Sequence, residues 1–449
     1  MRSTPFLLLA VALSPNGAGI AADALNEAQA IREIERLGGI VTRDEKLPDH
    51  PVTAVRFRFG SDFGDEHVPL LTPLTRLTTL NLHGTKVCGT HVTGAGLREL
   101  RALSRLTTLD LSHLKITDTG LKELKDLQNL RELNLWSTQI TESGLKELRE
   151  LKNLTTLNLA YTRITDAVLK QVRGFKNLTT LTLSNTRLTD AALRGIGEFE
   201  HLTSVDLSYN RITDAGLKEL RGLQNLTELF LTRTRITDAG LKELREFKNL
   251  RTLVLSGIPE ITDAGLKELK VLKSLTALDL QDTPITDAGL MELSELKNLK
   301  EFYLASSQVT DAGLTELSAH ESLTTLVLRS ANITDAGLRD LRKLRKLRAL
   351  DIFNNTKITD DGFKELRDLQ NLTSLNLLDT RVTDASLKDL SELKNLNFLG
   401  LCKTQITDAG LSELREFKKL RWLDVRDTKI TKAGLKQLRH SLPGLEIQR

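Results

Sequence analysis

The sequence predicts an α/β solenoid, a horseshoe with a concave parallel β-sheet and short convex helices. Three observations predict it. A strand-like motif, L-x-x-L-x-L, returns every 24 residues with an occasional step of 25. Each clear copy leads into a stretch such as Ile236-Thr237-Asp238-Ala239-Gly240-Leu241-Lys242-Glu243-Leu244, whose Leu241 and Leu244 share one face of a short helix. One copy cannot bury its own apolar face, whereas stacked copies bury a continuous core.

The elements follow in order. Arg2, the apolar run Phe6 to Leu13 and the small residues Ala22-Asp23-Ala24 have the form of an export signal over residues 1–24. That run is far shorter than the roughly 20 residues needed to span a bilayer, and no later membrane span is expected. Gly17 to Ala22 superficially matches a dinucleotide fingerprint, but it follows no strand. Residues 25–47 are expected to form a helical cap: Leu25, Ala28, Ile31 and Ile34 recur every third residue, and Gly38-Gly39 can stop the helix. The solenoid then fills residues 48–449 with about 16 repeats. Seventeen candidate strands begin with Val52/Val55/Phe57 and Leu77/Leu80/Leu82, run through the clear series from Leu106 to Leu420, and end with Leu442/Leu445/Ile447. The edge after the last strand is expected to be open.

Within a copy, a turn Thr such as Thr138, Thr162, Thr186 or Thr234 follows the strand. Thr237 or Asp238 suits the helix N-cap. The Gly before each helical leucine reads as room for close packing, because the same place holds Val168, Ala192 and Ser386.

Composition excludes several function classes. Lys plus Arg number 63 against 59 Asp plus Glu, a balance that suggests no bulk polyanion binder and no nucleic-acid partner. Cys88 and Cys402 are too few for a disulfide framework. They fall on the order of 60 Å apart along the sheet, beyond disulfide reach. The motifs H-E-x-x-H, G-x-S-x-G and the phosphate loop are absent, so no catalytic residue and no cofactor is expected.

The candidate ligand-binding residues lie at the non-leucine positions of the bare concave face. They are Trp136, Tyr161, Tyr209 and Phe230, joined by Arg233, Tyr303, Phe353 and Trp422. Large aromatics are frequent binding anchors, although strands favour aromatics anyway. Arg163, Arg187, Arg211 and Arg235 occupy one column in four consecutive copies and could form a basic rim. Asp166, Asp190, Asp214 and Asp238 follow three residues later and could neutralise it. The irregular 29-residue step between Leu77 and Leu106 holds His83, Cys88 and His91, with His113 on the next strand. Those ligand types could hold zinc, but their spacing matches no metal motif, so no metal is expected. The N-L-T triplets at Asn153, Asn177, Asn225 and Asn371 read as by-products of the repeat.

L-x-x-L-x-L with T-x-I-T-D-A-G-L, over about residues 52 to 447, resembles the leucine-rich-repeat superfamily. The I-T-D-x-G-L stretch is closest to the cysteine-containing subtype of exported bacterial proteins and of ubiquitin-ligase substrate receptors. The recurrent Cys of that subtype is absent, and Thr mostly stands where members carry Asn or Cys. Glu27 to Lys46 is similar to the N-terminal cap of the exported bacterial members. The resemblance implies a leucine-rich-repeat solenoid that binds a ligand on its concave face. The expected function is an exported, non-enzymatic protein-binding or scaffold protein: periplasmic, surface-bound or secreted. The alternatives are a polysaccharide or cell-wall-polymer binder using aromatic stacking, and a substrate receptor resembling the ubiquitin-ligase subunits.

Overall fold

The computed structural model describes residues 26–85, 92–306 and 308–449. The expected signal, Leu25, Cys88 and His91 lie outside them. All seventeen motif copies form strands: β2 Val52–Phe57, β3 Thr79–Asn81, β4 Thr108–Asp110, β5 Glu132–Asn134, β6 Thr156–Asn158, β7 Thr180–Thr182, β8 Ser204–Asp206, β9 Glu228–Phe230, β10 Thr252–Val254, β11 Ala277–Asp279, β12 Glu301–Ala305, β13 Thr325–Arg329, β14 Ala349–Asp351, β15 Ser374–Asn376, β16 Phe398–Gly400, β17 Trp422–Asp424 and β18 Glu446–Gln448. Each pairs in parallel with the next, one repeat leucine against another, as Leu133 against Leu157 and Leu157 against Leu181. The fold is therefore the open α/β solenoid that the repeat implies.

An eighteenth strand, β1 Gly39–Arg43, was not expected; it pairs antiparallel with β2. The helix α1 Glu27–Arg36 precedes it and is closed at its start by a reciprocal capping box between Asn26 and Gln29. Gly38 turns the chain at φ +86, a left-handed conformation that favours glycine. The helix buries Ala30, Ile31 and Ile34, while Ala28 faces solvent, so the covered face is set by i, i+3 and i+4 neighbours rather than by a strict three-residue step. Together α1 and β1 cover the first repeat.

Four kinds of hydrogen bond hold the stack. The turn Thr hydroxyls fold back on the strand, as Thr138 Oγ1 donating to the Leu135 carbonyl at 2.6 Å. Asn210 takes that place in its repeat and ties two repeats, donating to the carbonyls of Leu183 and Leu207 while accepting from the amides of Thr186 and Leu188. The Asn amides of the N-L-T triplets donate to a carbonyl of the previous repeat, as Asn153 to Gln128 at 2.8 Å. On the convex side Thr237 accepts from the Ala239 amide just ahead of its short helix, the place where Thr213 caps the preceding one, and Asp214 of the preceding repeat accepts from both the Thr237 amide and its hydroxyl. The same Asp-to-Thr rung recurs at Asp166/Thr189, Asp190/Thr213 and Asp238/Thr262.

This rung explains the repeated glycine. Gly216 and Gly240 lie outside the left-handed region, and a Cβ on either would strike the Asp190 or Asp214 carboxylate. At Ser386 the hydroxyl instead donates to the corresponding Asp360.

Candidate functional site

The convex face is committed to inter-repeat contacts, including ion pairs such as Arg173–Glu198 and Arg367–Asp389. The concave sheet and its rim carry the side chains not consumed by stacking. Along each strand the leucines point inward and their neighbours outward, the alternation inherent in a strand. Beyond the strand, two positions after the last inward leucine, the backbone repeatedly turns left-handed: His113, Ser137, Tyr161, Asn185, Tyr209 and Arg233 all have φ between 51 and 59. Asn at such a place is ordinary, whereas bulky Tyr and Arg are uncommon there.

That rim gathers rings. Phe59 meets His83 with centroids 5.7 Å apart and His113 at 6.3 Å. His113 stands edge-on to His83 at 5.1 Å and to Trp136 at 4.3 Å, while the His83 and Trp136 planes lie within 9° of parallel. Trp136 then meets Tyr161 edge-on at 6.0 Å. These five rings come from five consecutive repeats. Phe59 is 64% exposed and Tyr161 47%, so the ridge opens to solvent at both ends. Gly84, at φ +55, makes room for it: a Cβ there would strike the Phe59 ring.

A polar relay anchors the ridge. The buried Ser112 hydroxyl lies 2.5 Å from Asp110 Oδ1 and 2.6 Å from His83 Nδ1. Donation from Ser112 to the carboxylate leaves its oxygen to accept from His83 Nδ1–H. Burial pushes the His113 pKa down, the neighbouring His83 pushes it further, and Asp110 opposes both. Beside the ridge, the concave faces of β3 to β7 form a cleft of about 300 Å³ lined by Thr79, Asn81, Thr108, Asp110, Glu132 and Asn134, among others.

The sequence candidates distribute as follows. Trp136 and Tyr161 meet in the ridge. Tyr209 instead meets Arg233, whose guanidinium carbon lies 5.9 Å from the ring centre. Phe230 is half-buried on β9 between Asp206 and Val254 of the adjacent strands. Tyr303 stands on β12, its hydroxyl donating to Glu301 Oε2 at 3.0 Å, and burial together with that carboxylate pushes its pKa up to about 12. Phe353 follows β14, and Trp422 lies on β17 opposite Phe398. These three do not join the ridge.

Arg163, Arg187, Arg211 and Arg235 are all exposed on one rim. The aspartates expected to neutralise them do not pair with them among the described residues. Their carboxylates accept from the Thr residues of the next repeat instead. Among the described residues no group of three or more His, Cys, Asp or Glu side chains is arranged to hold a metal ion. Phe59, His83 and His113 were missed as members of an aromatic surface. The available signal was their alignment with Trp136 and Tyr161 in the two columns that follow the last inward apolar residue.

Sequence profiles described as leucine rich repeats match residues 176–236, 200–258 and 152–195, with further single-repeat matches at 104–125, 271–294, 319–341 and 343–366. No curated protein matches the sequence. Among solved structures, the chain is similar to an internalin from Listeria monocytogenes, 22% identical, over 83% of this chain and 93% of that one, with a TM-score of 0.53. It is also similar to a leucine-rich-repeat protein from Leptospira interrogans, 23% identical over 88% of this chain and 89% of that one, with a TM-score of 0.46. At 22% identity the likeness to the internalin is one of fold.

Proposed function

Since the chain belongs to the leucine-rich-repeat superfamily, we propose that it is a non-enzymatic binding solenoid that grips a protein partner. Such solenoids commonly mediate protein binding. The observation that carries the reading is the ring ridge Phe59–His83–His113–Trp136–Tyr161. Rings left wholly or partly exposed contribute little to the core of this molecule, whereas large aromatics dominate interface hot spots. The left-handed Tyr161 and Tyr209 support it, because a bulky residue kept at positive φ costs stability and such costs cluster at functional sites. Tyr209 with Arg233, and the exposed arginine rim, extend the surface toward an acidic edge of the partner.

The same reading places residues 1–24 as an export signal, 25–47 as the cap and 48–449 as the solenoid, with the mature protein periplasmic, surface-bound or secreted. Arg2, the apolar run and Ala22-Asp23-Ala24 support export. No helix among the described residues is long and apolar enough to cross a membrane.

A second reading, an oligosaccharide ligand, is favoured by the amide- and hydroxyl-lined cleft beside the ridge. The experiment that separates them is capture from the native extract with wild type and a Phe59→Ala/Trp136→Ala variant, before and after protease treatment of the extract. A protein partner is lost on both treatments; a glycan survives the protease.

A further inference from the structure

We propose that the groove between Arg348 and Arg421, on the edge of the sheet where the chain enters β14 to β17, is a second binding site, for a linear polyanion bearing repeated phosphate groups. It is independent of the ring ridge. The whole chain carries a net charge of only +4. Yet this edge concentrates cations: Arg348, Lys418, Lys419 and Arg421 line a single groove of about 610 Å³.

Elsewhere the same column is mostly structural Thr, with Arg131, Arg251 and Lys300 its other cations. Thr155, Thr179, Thr203 and Thr227 each turn a hydroxyl back onto a carbonyl of the previous repeat. Arg348 and Arg421 replace that Thr with exposed guanidinium groups. Among the described residues neither guanidinium has an ion pair or a side-chain hydrogen bond, in contrast to convex arginines such as Arg173 and Arg367. Lys419 is held by Asn395 Oδ1 at 2.7 Å. Lys418 is held by the Arg415 carbonyl at 2.7 Å, with Glu416 no closer than 3.9 Å.

Backbone bonds fix the spacing. The Thr373 amide donates to the Arg348 carbonyl, Asn397 to Thr373, and Arg421 to Asn397, each at 2.8 Å. Three strand steps thus separate the backbones of Arg348 and Arg421, roughly 14 Å at ~4.8 Å per strand. Cations anchored on strands that far apart suit a ligand with several phosphates better than a single one. A chain can reach both ends at once, with the exposed Asn397 amide between them to donate to it, while the Thr373 hydroxyl stays on the Arg348 carbonyl. Arginine at both ends favours phosphate, which it binds in a forked, two-bond geometry.

The test is binding of end-labelled inorganic polyphosphate by fluorescence anisotropy. With four cations engaged, affinity should fall roughly fiftyfold between about 50 and 200 mM salt. Arg348→Glu/Arg421→Glu should weaken binding at least tenfold with an unchanged melting curve. Lys218→Glu/Lys242→Glu, the same charge change on exposed convex lysines, should leave it intact. Orthophosphate at equal phosphate concentration should not compete. Equal loss in both variants would show diffuse attraction and overturn the site. Equally tight poly-glutamate would overturn the phosphate assignment, and so would anionic phospholipid vesicles that polyphosphate fails to displace. Because the ridge is untouched, loss of partner capture in a Phe59→Ala/Trp136→Ala variant has no bearing on this result.

Discussion

The imidazole of His113 stands edge-on to the indole of Trp136, with ring centroids 4.3 Å apart. That contact makes Trp136 a reporter for the ridge. Burial and the neighbouring His83 hold the His113 pKa down against the pull of Asp110. Protonation therefore waits for a pH below the ordinary histidine value of about 6.5. In a Trp422→Phe background, Trp136 fluorescence should titrate with a midpoint below that value. His113→Asn should abolish the transition. A midpoint at or above the ordinary value would show that the rings are not packed as described.

His320 carries a separate pH prediction. It is 1% exposed, in the column that holds Leu296 and Leu344 in the adjacent repeats. Its Nδ1 lies 3.3 Å from the Leu296 carbonyl and its Nε2 has no partner. Burial pushes its pKa down. The unfolded chain thus takes a proton near pH 6.5 while the folded chain refuses it. Stability is lost as pH falls from that value toward the depressed one, and is unaffected above it. His320→Leu should stabilise the protein by about 1–3 kcal/mol, the typical cost of an unsatisfied buried polar group, with an additional gain at acidic pH. Parallel melting-temperature profiles for both proteins would contradict this.

The Asp214–Thr237 rung sets the third prediction. Asp214→Ala leaves the Thr237 amide and hydroxyl without their acceptor, at a cost of about 1–3 kcal/mol by denaturant melts. Gly240→Ala drives a methyl into the same carboxylate and should also destabilise. In the Asp214→Ala background the Gly240→Ala cost should shrink, because the nearest obstacle is gone and only the Ile236 methyl remains in the way. Additive losses would mean that Gly240 answers to something else.

Tyr161 sits at φ +57. Tyr161→Gly should relieve about 1 kcal/mol of backbone strain, partly offset by the lost contact with Trp136. Its melting temperature should therefore equal or exceed that of wild type while partner binding weakens. A clear drop in melting temperature would mark Tyr161 as a packing residue.

The period of the leucines made the solenoid legible, because every strand needs the same inward pair: Leu133 and Leu157 follow one rule and occupy one register. The strand β1 was hidden, since Gly39 to Arg43 repeats nothing and pairs antiparallel with a single neighbour. The candidate site was half legible. Trp136 and Tyr161 were visible as unusual residues, but Phe59, His83 and His113 belong with them only through lateral stacking of repeats. The irregular 29-residue step also obscured the alignment of His83 with His113. The roles of Asp166 and its equivalents were misjudged because their partners lie in the next repeat.

The most direct test of the ring ridge is quantitative capture of partners from the native extract by wild type and by Phe59→Ala/Trp136→Ala, with melting curves for both. Neither residue is a repeat leucine, so the melting temperatures should stay close. Loss of two hot-spot rings should cost at least about 2 kcal/mol, a roughly thirtyfold drop in affinity for the captured protein. Capture of the same protein with undiminished affinity, at equal melting temperature, would contradict the account.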